Sequence, residues 1–373
     1  MTNHAFLSPS GSHRWLNCTP SAMLEAEFPG STSSAAEEGT VAHAFCEHKL
    51  KKAIHKRSKR PVSTYDSDEM QEYTDSYVEY VLEQLETAKR GCKDPMLLIE
   101  QKVDFSEFVP DGYGTADCII AADGVLHIID FKYGLGVLVD AEWNTQLMCY
   151  SIGALNIFDS IYDIKEVTMH IFQPRRENVQ SWTILVEELK EWAENELKPK
   201  AQMAINGEGE YCPGDWCQFC RAAVKCRARA EEKLKLAKDE FKLPPLLTDA
   251  EIEEVLSVLP DLTKWADEIY AYASDAAINH GHEWAGFKVV ESVTKRRYKD
   301  EEAVAEAAKS NGFTDIYRHS LIPMTEMKKL MGKTRFEEIL GELIIKPPGK
   351  PTLVPMSDKR PAINVINEFK TEE

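Results

Sequence analysis

The spacing of apolar positions predicts a mixed α/β order over the first two thirds of the chain. Apolar residues at helical spacing predict a long acidic helix over 68–90, in which the tyrosines 73, 77 and 80 share one side. The same signals predict helices at 39–53, from 143 onward and at 186–206, and strands at 96–103, 116–122, 125–129 and 166–173. The predicted order of the core is therefore helix, three strands, helix, strand, helix.

Two acidic residues and a lysine lie on the predicted hairpin formed by the second and third strands. Asp123-Gly124 is typical of a two-residue turn, and counting outward from it puts Asp117 opposite Asp130. Lys132 follows by two residues and should project from the same face as Asp130. Facing carboxylates destabilise a sheet unless a positive charge lies between them, and they are donors that Mg²⁺ or Mn²⁺ prefers. A divalent metal site is one interpretation, with Glu100 as a further acidic candidate; a surface hairpin with scattered charges is the other.

Composition narrows the class of protein. A chain of 373 residues with 43% hydrophobic and 28% charged residues is typical of a soluble protein with one large domain and an extension, or two domains. The net charge of −18 argues against nonspecific coating of nucleic acid, although it does not exclude a local DNA groove. No apolar run approaches the roughly 18 residues of a membrane span, and the N-terminus lacks a signal-peptide pattern. We therefore expect a cytoplasmic protein without a membrane partner.

Cysteines are concentrated in one segment. Four of the nine lie at positions 212, 217, 220 and 226, close enough for the last three to hold one metal centre, with Cys212 or a distant residue as fourth ligand. A structural zinc site is one interpretation, but zinc sites usually show two Cys-x-x-Cys pairs or a cysteine pair with a histidine pair. An iron–sulfur cluster is the other, because such clusters are commonly held by thiolates alone. The scattered cysteines are expected to be buried and free: Cys46, Cys92, Cys118 and Cys149.

The C-terminal third carries fewer signals. A linker-like segment at 242–247 precedes predicted helices at 248–258 and 262–281, a strand pair at 282–298, helices at 301–311 and 324–343, and a proline-rich tail from 346. Basic clusters at 295–297 and 328–335 are candidates for guiding a DNA strand; a solvated appendage or a partner-docking domain is the alternative. The sequence contains no phosphate-binding glycine-rich loop or helicase motif, so ATP-driven unwinding is not expected.

Taken in order, these residues resemble the RecB-type branch of the PD-(D/E)XK nuclease superfamily. The motifs that carry the resemblance are Gly39-x-x-x-His43, Gly114-x-x-Asp117, Asp130-x-Lys132 and Gln146-x-x-x-Tyr150. Cys18 near the N-terminus, with Cys217-x2-Cys220-x5-Cys226 downstream, is similar to the iron–sulfur nucleases of the AddB and CRISPR-associated RecB-like exonuclease groups. The resemblance covers about residues 5 to 235, and the whole chain is similar to an uncharacterised phage and prophage family of such nucleases.

The resemblance implies a fold and a set of residue roles. The fold would be a restriction-endonuclease-like α/β core, a central mixed sheet flanked by helices, at 1–240. The elements predicted beyond it make 241–373 a mainly helical extension of α+β type, with DNA or partner binding as its candidate role. Mg²⁺ or Mn²⁺ would be bound by His43, Asp117, Asp130 and the Phe131 carbonyl, with Asp117, Asp130 and Lys132 catalytic. Gln146 and Tyr150 would support the site or contact DNA. A [4Fe–4S] cluster, or alternatively structural Zn²⁺, would be held by Cys18, Cys217, Cys220 and Cys226, leaving Cys212 out.

The expected function is metal-dependent hydrolysis of DNA, as an exonuclease that works beside phage recombination or replication proteins. The alternative is a non-catalytic DNA-binding or scaffold module with a nuclease fold. The intact set of Asp117, Asp130 and Lys132 favours the enzyme, while the acidic net charge keeps the alternative open.

Overall fold

The protein is described by a computed structural model that covers residues 5–30, 33–239, 249–289, 302–303, 310, 324–340 and 343. The chain divides into two compact units, residues 1–255 with 259–272, and residues 256–258 with 273–373. The predicted linker at 242–247 lies outside the described residues, as do the basic cluster at 295–297 and the proline-rich tail.

The first unit is built on a five-stranded mixed sheet, which confirms the predicted mixed α/β class. Its strands are β1 Met96–Asp104, β2 Tyr113–Ala121, β3 Gly124–Phe131, β4 Ile164–Gln173 and β5 Asn178–Leu185, in the spatial order β1-β2-β3-β4-β5. The β3–β4 pair is parallel and the other pairs are antiparallel. The predicted order lacked β5, an edge strand that is exposed at alternate positions and whose sequence is only half apolar, without a regular alternation.

Helices cover both faces of the sheet. In chain order they are α1 Ser12–Asn17, α2 Ser21–Ala26, α3 Ser34–Ala53, α4 Asp68–Gly91, α5 Thr145–Phe158, α6 Val186–Trp192, α7 Lys198–Asn206 and α8 Arg227–Asp239. The α3 helix begins at Ser34 rather than at the predicted residue 39, because the Ser33 hydroxyl accepts the Ala36 amide and caps it. The predicted helix at 186–206 is confirmed as α6 and α7 joined by a π-helical turn, Ala193–Leu197.

Alternation along the strands divides the core into two layers. Ile119 and Ile128 pack in one layer, which also contains residues of α1, α5, α6 and α7. Ile120 and Ile129, the next residue on each strand, pack in the other layer with residues of α3 and α4. The hairpin β2–β3 therefore lies at the centre of the first unit, buried on both faces.

The C-terminal third is helical where it is described. Helix α9, Asp249–His280, runs through Pro260, so the two predicted helices at 248–258 and 262–281 are one. The predicted strand pair at 282–298 is not formed in its described part, 282–289. The predicted helix at 324–343 is divided at Gly332, with φ +77°, into α10 Met324–Met331 and α11 Lys333–Leu340. Within the described ranges, no helix is both long enough and apolar enough to cross a membrane.

Candidate metal site and cysteine cluster

The β2–β3 hairpin has the register that the sequence predicts. The Ala122 amide donates to the Val125 carbonyl at 3.1 Å, the reverse bond is 3.3 Å, and Gly124 has φ +86°. The ladder runs from Ala121–Leu126 to Cys118–Ile129. Asp117 and Asp130 are the residues directly beyond the last pair of this ladder. The hairpin therefore brings these two carboxylates close together where the ladder ends.

Both β1 and β2 are irregular at the candidate ligands. Pairing between these strands skips Glu100 and Asp117, although it is regular on both sides of them. Ala116 packs in the α5 layer and Cys118 in the α4 layer, whereas a regular strand would put both on one face. Glu100 has φ +50°, a left-handed conformation that costs energy for a residue other than glycine. Such strain is concentrated at functional sites.

The irregularity brings three potential metal ligands together. His43 Nδ1 on α3 lies 3.2 Å from Asp117 Oδ1, while Asp117 Oδ2 accepts the Phe131 amide at 2.8 Å. Ligand atoms of His43, Glu100 and Asp117 lie within 4.8 Å of one another. One imidazole and two carboxylates are a donor set that suits Mn²⁺ or Mg²⁺. Glu100, the further acidic candidate of the sequence, thus joins His43 and Asp117 in this group.

Asp130 lies next to this group in a hydrogen-bonded network. Lys132 Nζ lies 3.0 Å from Asp130 Oδ2 and donates to Gln146 Oε1 at 3.0 Å. The Gln146 amide donates to Asp130 Oδ1 and to the Tyr150 hydroxyl, each at 3.2 Å, so all its polar atoms are used and its orientation is fixed. Asp130 is 3% exposed, and its Oδ2 is buried without an aligned hydrogen bond. This oxygen is paired with the Lys132 ammonium, and its remaining lone pairs can ligate a cation.

Two members of the ligand group, His43 and Glu100, have raised pKa values, for different reasons. Burial lowers the pKa of His43, but the charge and hydrogen bond of Asp117 outweigh it, and Asp130 and Glu100 add to bring it to about 9. Burial raises the pKa of Glu100 to about 7, and the Asp117 charge adds to this effect. A cation bound here would therefore displace protons from the ligands.

The neighbouring network keeps its lysine charged. Burial lowers the pKa of Lys132, but the carboxylates of Asp130 and Asp117 outweigh burial and raise it overall. Burial raises the pKa of Asp130 against the opposing charge of Lys132, with Asp117 adding to the rise. Lys132 is thus a cationic donor held at a fixed position rather than a free base.

The glycine of the Gly114-x-x-Asp117 motif is required by close packing. A Cβ on Gly114 would lie 2.7 Å from both Pro9 Cγ and Tyr150 Cε1. Gly39, one turn before His43 on α3, differs, since a Cβ there would meet nothing within 4 Å. The two glycines of the recognised motifs therefore have different roles, one in packing and one beside open space.

The cysteines assemble from opposite ends of the first unit. Cys18 lines one small cavity together with the downstream cysteines 212, 217, 220 and 226. The Cys212 amide donates to Cys18 Sγ at 3.4 Å, and the Gly214 amide donates to Cys217 Sγ at 3.4 Å. Burial raises the pKa of Cys18, and it raises that of Cys220 to about 11. Thiols gathered around a cavity are a suitable donor set for a metal centre, and Cys212, which the resemblance leaves out, is among them.

An ion pair between Arg14 and Glu25 in the N-terminal segment also bonds to the segment that carries the downstream cysteines, and the sequence did not predict it. Arg14 Nε donates to Glu25 Oε2 at 2.7 Å, and the Arg221 amide donates to Glu25 Oε1 at 2.7 Å. Arg14 also donates to the Phe219 carbonyl at 3.0 Å. Glu25 is 3% exposed. Its position follows no periodic pattern with its partners, so no local signal could have identified it.

Comparison with known proteins gives a family. The chain is similar to a solved structure titled "Crystal structure of SSO0001", with 14% identity over 57% of this chain and 95% of that chain, at a TM-score of 0.21. That superposition is too weak to show a common fold. Residues 4–361 match the family described as "Protein of unknown function (DUF2800)". This match spans nearly the whole chain, and the protein belongs to the DUF2800 family.

Proposed function

We propose that this protein is a metal-dependent DNA nuclease that hydrolyses phosphodiester bonds, with exonuclease action favoured by the resemblance. The observation that carries the proposal is the juxtaposition, around the β2–β3 hairpin, of the ligand group His43, Glu100 and Asp117 with the ion pair of Asp130 and Lys132. Its proposed place beside phage recombination or replication proteins rests on the resemblance alone.

The ligand group would hold Mg²⁺ or Mn²⁺. His43, Glu100 and Asp117 supply the first donors. The Asp130 Oδ2 that pairs with Lys132, and the Phe131 carbonyl, are proposed as further ones. When bound, such an ion lowers the pKa of water and polarises a phosphoryl oxygen. The left-handed backbone at Glu100 accompanies the approach of its carboxylate to Asp117.

Lys132 would stabilise the negative charge that develops on the phosphate oxygens. Its ammonium group is oriented by Asp130 and Gln146, and the side chain is only partly exposed, so water screens its charge less than it would at an open surface. Gln146 is in turn fixed by the Tyr150 hydroxyl. Burial raises the pKa of Tyr150, which keeps this hydroxyl neutral. Gln146 and Tyr150 are therefore positioning residues for Lys132.

We also propose that Cys18, Cys217, Cys220 and Cys226 bind a [4Fe–4S] cluster, with structural zinc as the alternative. The shared cavity and the two amide-to-sulfur hydrogen bonds support a metal centre of thiolates. Anaerobic purification followed by iron, sulfide and zinc analysis separates the two. Stoichiometric zinc in a colourless protein would overturn the iron–sulfur assignment and leave the nuclease proposal intact.

Degradation of end-labelled single- and double-stranded DNA tests the nuclease proposal. We expect cleavage with Mg²⁺ or Mn²⁺, none with EDTA, and loss of cleavage in Asp130→Asn and Lys132→Met. Lys165→Met is the matched control, because Lys165 is exposed and paired with Asp163 on the surface. Wild-type protein that binds DNA but never cleaves it would contradict the proposal and favour the non-catalytic DNA-binding module.

A further inference from the structure

The loop between Lys132 and Gln146 presents apolar side chains to solvent. Trp143 is 57% exposed and Leu135 is 51% exposed, and Val137 and Leu138 are also exposed. These residues follow the candidate catalytic strand β3 directly and precede α5 directly. An apolar patch beside a polar catalytic site is the kind of surface that marks a binding region.

The loop is held in place by buried amides. Gln173, which is 2% exposed, donates to the carbonyls of Gly134 at 3.1 Å and Val137 at 3.0 Å, and its Oε1 accepts the Val139 amide at 3.3 Å. Asn178 donates to the Val139 carbonyl at 2.9 Å. The backbone is thus anchored while the apolar side chains point outward, so their exposure is a fixed property of the loop.

Trp143 is strained as well as exposed. Its φ is +51°, which is unusual for a bulky residue, and its ring lies 5.0 Å from the ring of Trp182 on β5. Burial of the side chain does not offset this strain, since more than half of it is exposed. A strained aromatic side chain held at the surface, supported from behind by a second indole, is suited to stacking on a ligand.

The loop lies close to the candidate site along the chain. Leu135 follows Lys132 by three residues and Trp143 precedes Gln146 by three, so each Cα lies within about 11 Å of a residue of the candidate site. A DNA strand with one phosphate at Lys132 would place its neighbouring nucleotides against this loop.

Charges differ between the two ends of the loop. At the Leu135 end, the exposed Arg176 donates to the Leu135 carbonyl at 3.1 Å. Leu135 is itself three residues from Lys132, so two cations belong to this end. At the Trp143 end lie Asp140 and Glu142, both exposed. Cations suit phosphate at the first end, whereas binding at Trp143 must come from stacking, because the carboxylates there repel phosphate.

We propose that Trp143, supported by Trp182 and by the apolar side chains at 135–138, forms a stacking surface for unpaired bases and makes single-stranded DNA the preferred substrate. The inference rests on the proposed nuclease function. Unpaired bases expose faces that stack on aromatic rings, whereas a duplex hides them. The surface therefore discriminates by strandedness rather than by base sequence.

Fluorescence anisotropy of labelled oligo-dT and of a labelled duplex, both in EDTA, tests this inference without cleavage. We expect Trp143→Gly to weaken oligo-dT binding by roughly 10- to 100-fold and duplex binding by less than about 2-fold. Trp143→Phe should retain most of the affinity. Ile161→Ala, an exposed apolar change elsewhere on the first unit, is the control. Glycine tolerates a positive φ, so Trp143→Gly should fold, and thermal melting checks this.

Salt dependence adds a second readout. If Trp143 contributes by stacking, the ratio of wild-type to Trp143→Gly affinity for oligo-dT stays constant as salt rises, while both affinities fall through phosphate contacts elsewhere. A ratio that falls with salt would overturn the stacking role.

Two results would contradict the inference: oligo-dT binding unchanged in Trp143→Gly, or equal losses for oligo-dT and duplex. Wild-type protein that self-associates through this patch, and dissociates in Trp143→Gly, would instead assign it to a second copy of the chain. The proposed function fails separately, when wild-type protein binds oligo-dT through Trp143 but cleaves nothing with Mn²⁺.

Discussion

The candidate metal site and the cysteine cluster use the chain in opposite ways. The metal site comes mainly from β1, β2 and β3, which follow one another in sequence and pair in register, and α3 adds one histidine. The cysteine cluster joins Cys18 to a segment that begins with Cys212, 194 residues further along the chain. One site depends on strand register, and the other on closure of the whole first unit.

This difference separates chemistry from stability. A substitution in the metal site changes ligands or charges inside a sheet that packs on both faces, so the fold should survive it. Loss of the cysteine cluster reopens a very long loop, and by analogy with a disulfide of similar span the cost is about 4–5 kcal/mol. Variants of the two sites should therefore fall into two classes, inactive but stable, and unstable.

The largest expected effect is on chemistry. Lys132→Met should lower the cleavage rate by about 10²- to 10³-fold, because it removes the cation placed to stabilise charge on the phosphate. Single-turnover cleavage at saturating Mn²⁺ measures this, and thermal melting checks that the fold survives the loss of the Asp130 ion pair. A stable protein with an unchanged rate would show that Lys132 takes no part.

The cysteine cluster should show the opposite pattern. Cys217→Ala should lose its metal and destabilise the protein by about 4 kcal/mol, measured by chemical denaturation under anaerobic conditions. Cys212→Ala is the matched change in the same cavity, and it should retain the metal. Equal metal loss in both variants would make Cys212 a ligand and correct the ligand set.

The contact between the N-terminal segment and the cysteine-bearing segment can be weakened without changing a cysteine. Glu25→Gln removes the charge that joins Arg14 to the Arg221 amide, and it should cost about 2 kcal/mol because bonds to a buried charge are lost. Cleavage by the folded fraction should be unchanged. Loss of cleavage without loss of stability would show that the two regions are coupled.

The two motif glycines offer a smaller, paired test. Gly114→Ala should destabilise by about 1–3 kcal/mol, because its methyl group would clash with Pro9 and Tyr150, and it should also slow cleavage by displacing Tyr150. Gly39→Ala, in the open first part of α3, should be neutral or stabilise by up to about 1 kcal/mol. Urea denaturation of both variants measures the contrast, and equal effects would contradict it.

A third region separates general stability from either site. His127 Nδ1 and His170 Nε2 lie 3.0 Å apart, and burial lowers their pKa values from 6.5 to about 4 and about 3. The unfolded chain takes up protons below pH 6.5 that the folded chain does not, so this contribution to stability is full above pH 6.5 and is lost as pH falls toward 4. Melting temperatures should fall over that window, and less steeply in His127→Gln.

The metal site could be predicted from sequence to the extent that alternation and turn chemistry determine it. Asp123-Gly124 sets the hairpin register, and this register carries Asp130 and Lys132 to one face. The place of Glu100 beside Asp117 could not be predicted, because it depends on a left-handed residue inside a strand. Local pattern gives no sign of that conformation.

Long-range contacts were harder to predict from the sequence. Cys18 was connected to the downstream cysteines through resemblance, since nothing in its own segment indicates a partner so far along the chain. No periodic signal marks the contacts of Glu25 with Arg14 and Arg221. The same holds for the edge strand β5, which supplies Asn178 and Trp182. Tertiary packing rather than local pattern places all of them.

Binding of Mn²⁺, followed by electron paramagnetic resonance, and cleavage of labelled single-stranded DNA, measured on the same preparations, test the central claim most directly. Wild type should bind Mn²⁺ and cleave, Asp117→Asn should lose both, and Glu100→Gln should weaken Mn²⁺ binding and cleavage together. Mn²⁺ binding that is unchanged in Asp117→Asn would contradict the account, because the hairpin would then hold its carboxylates together for some purpose other than a metal.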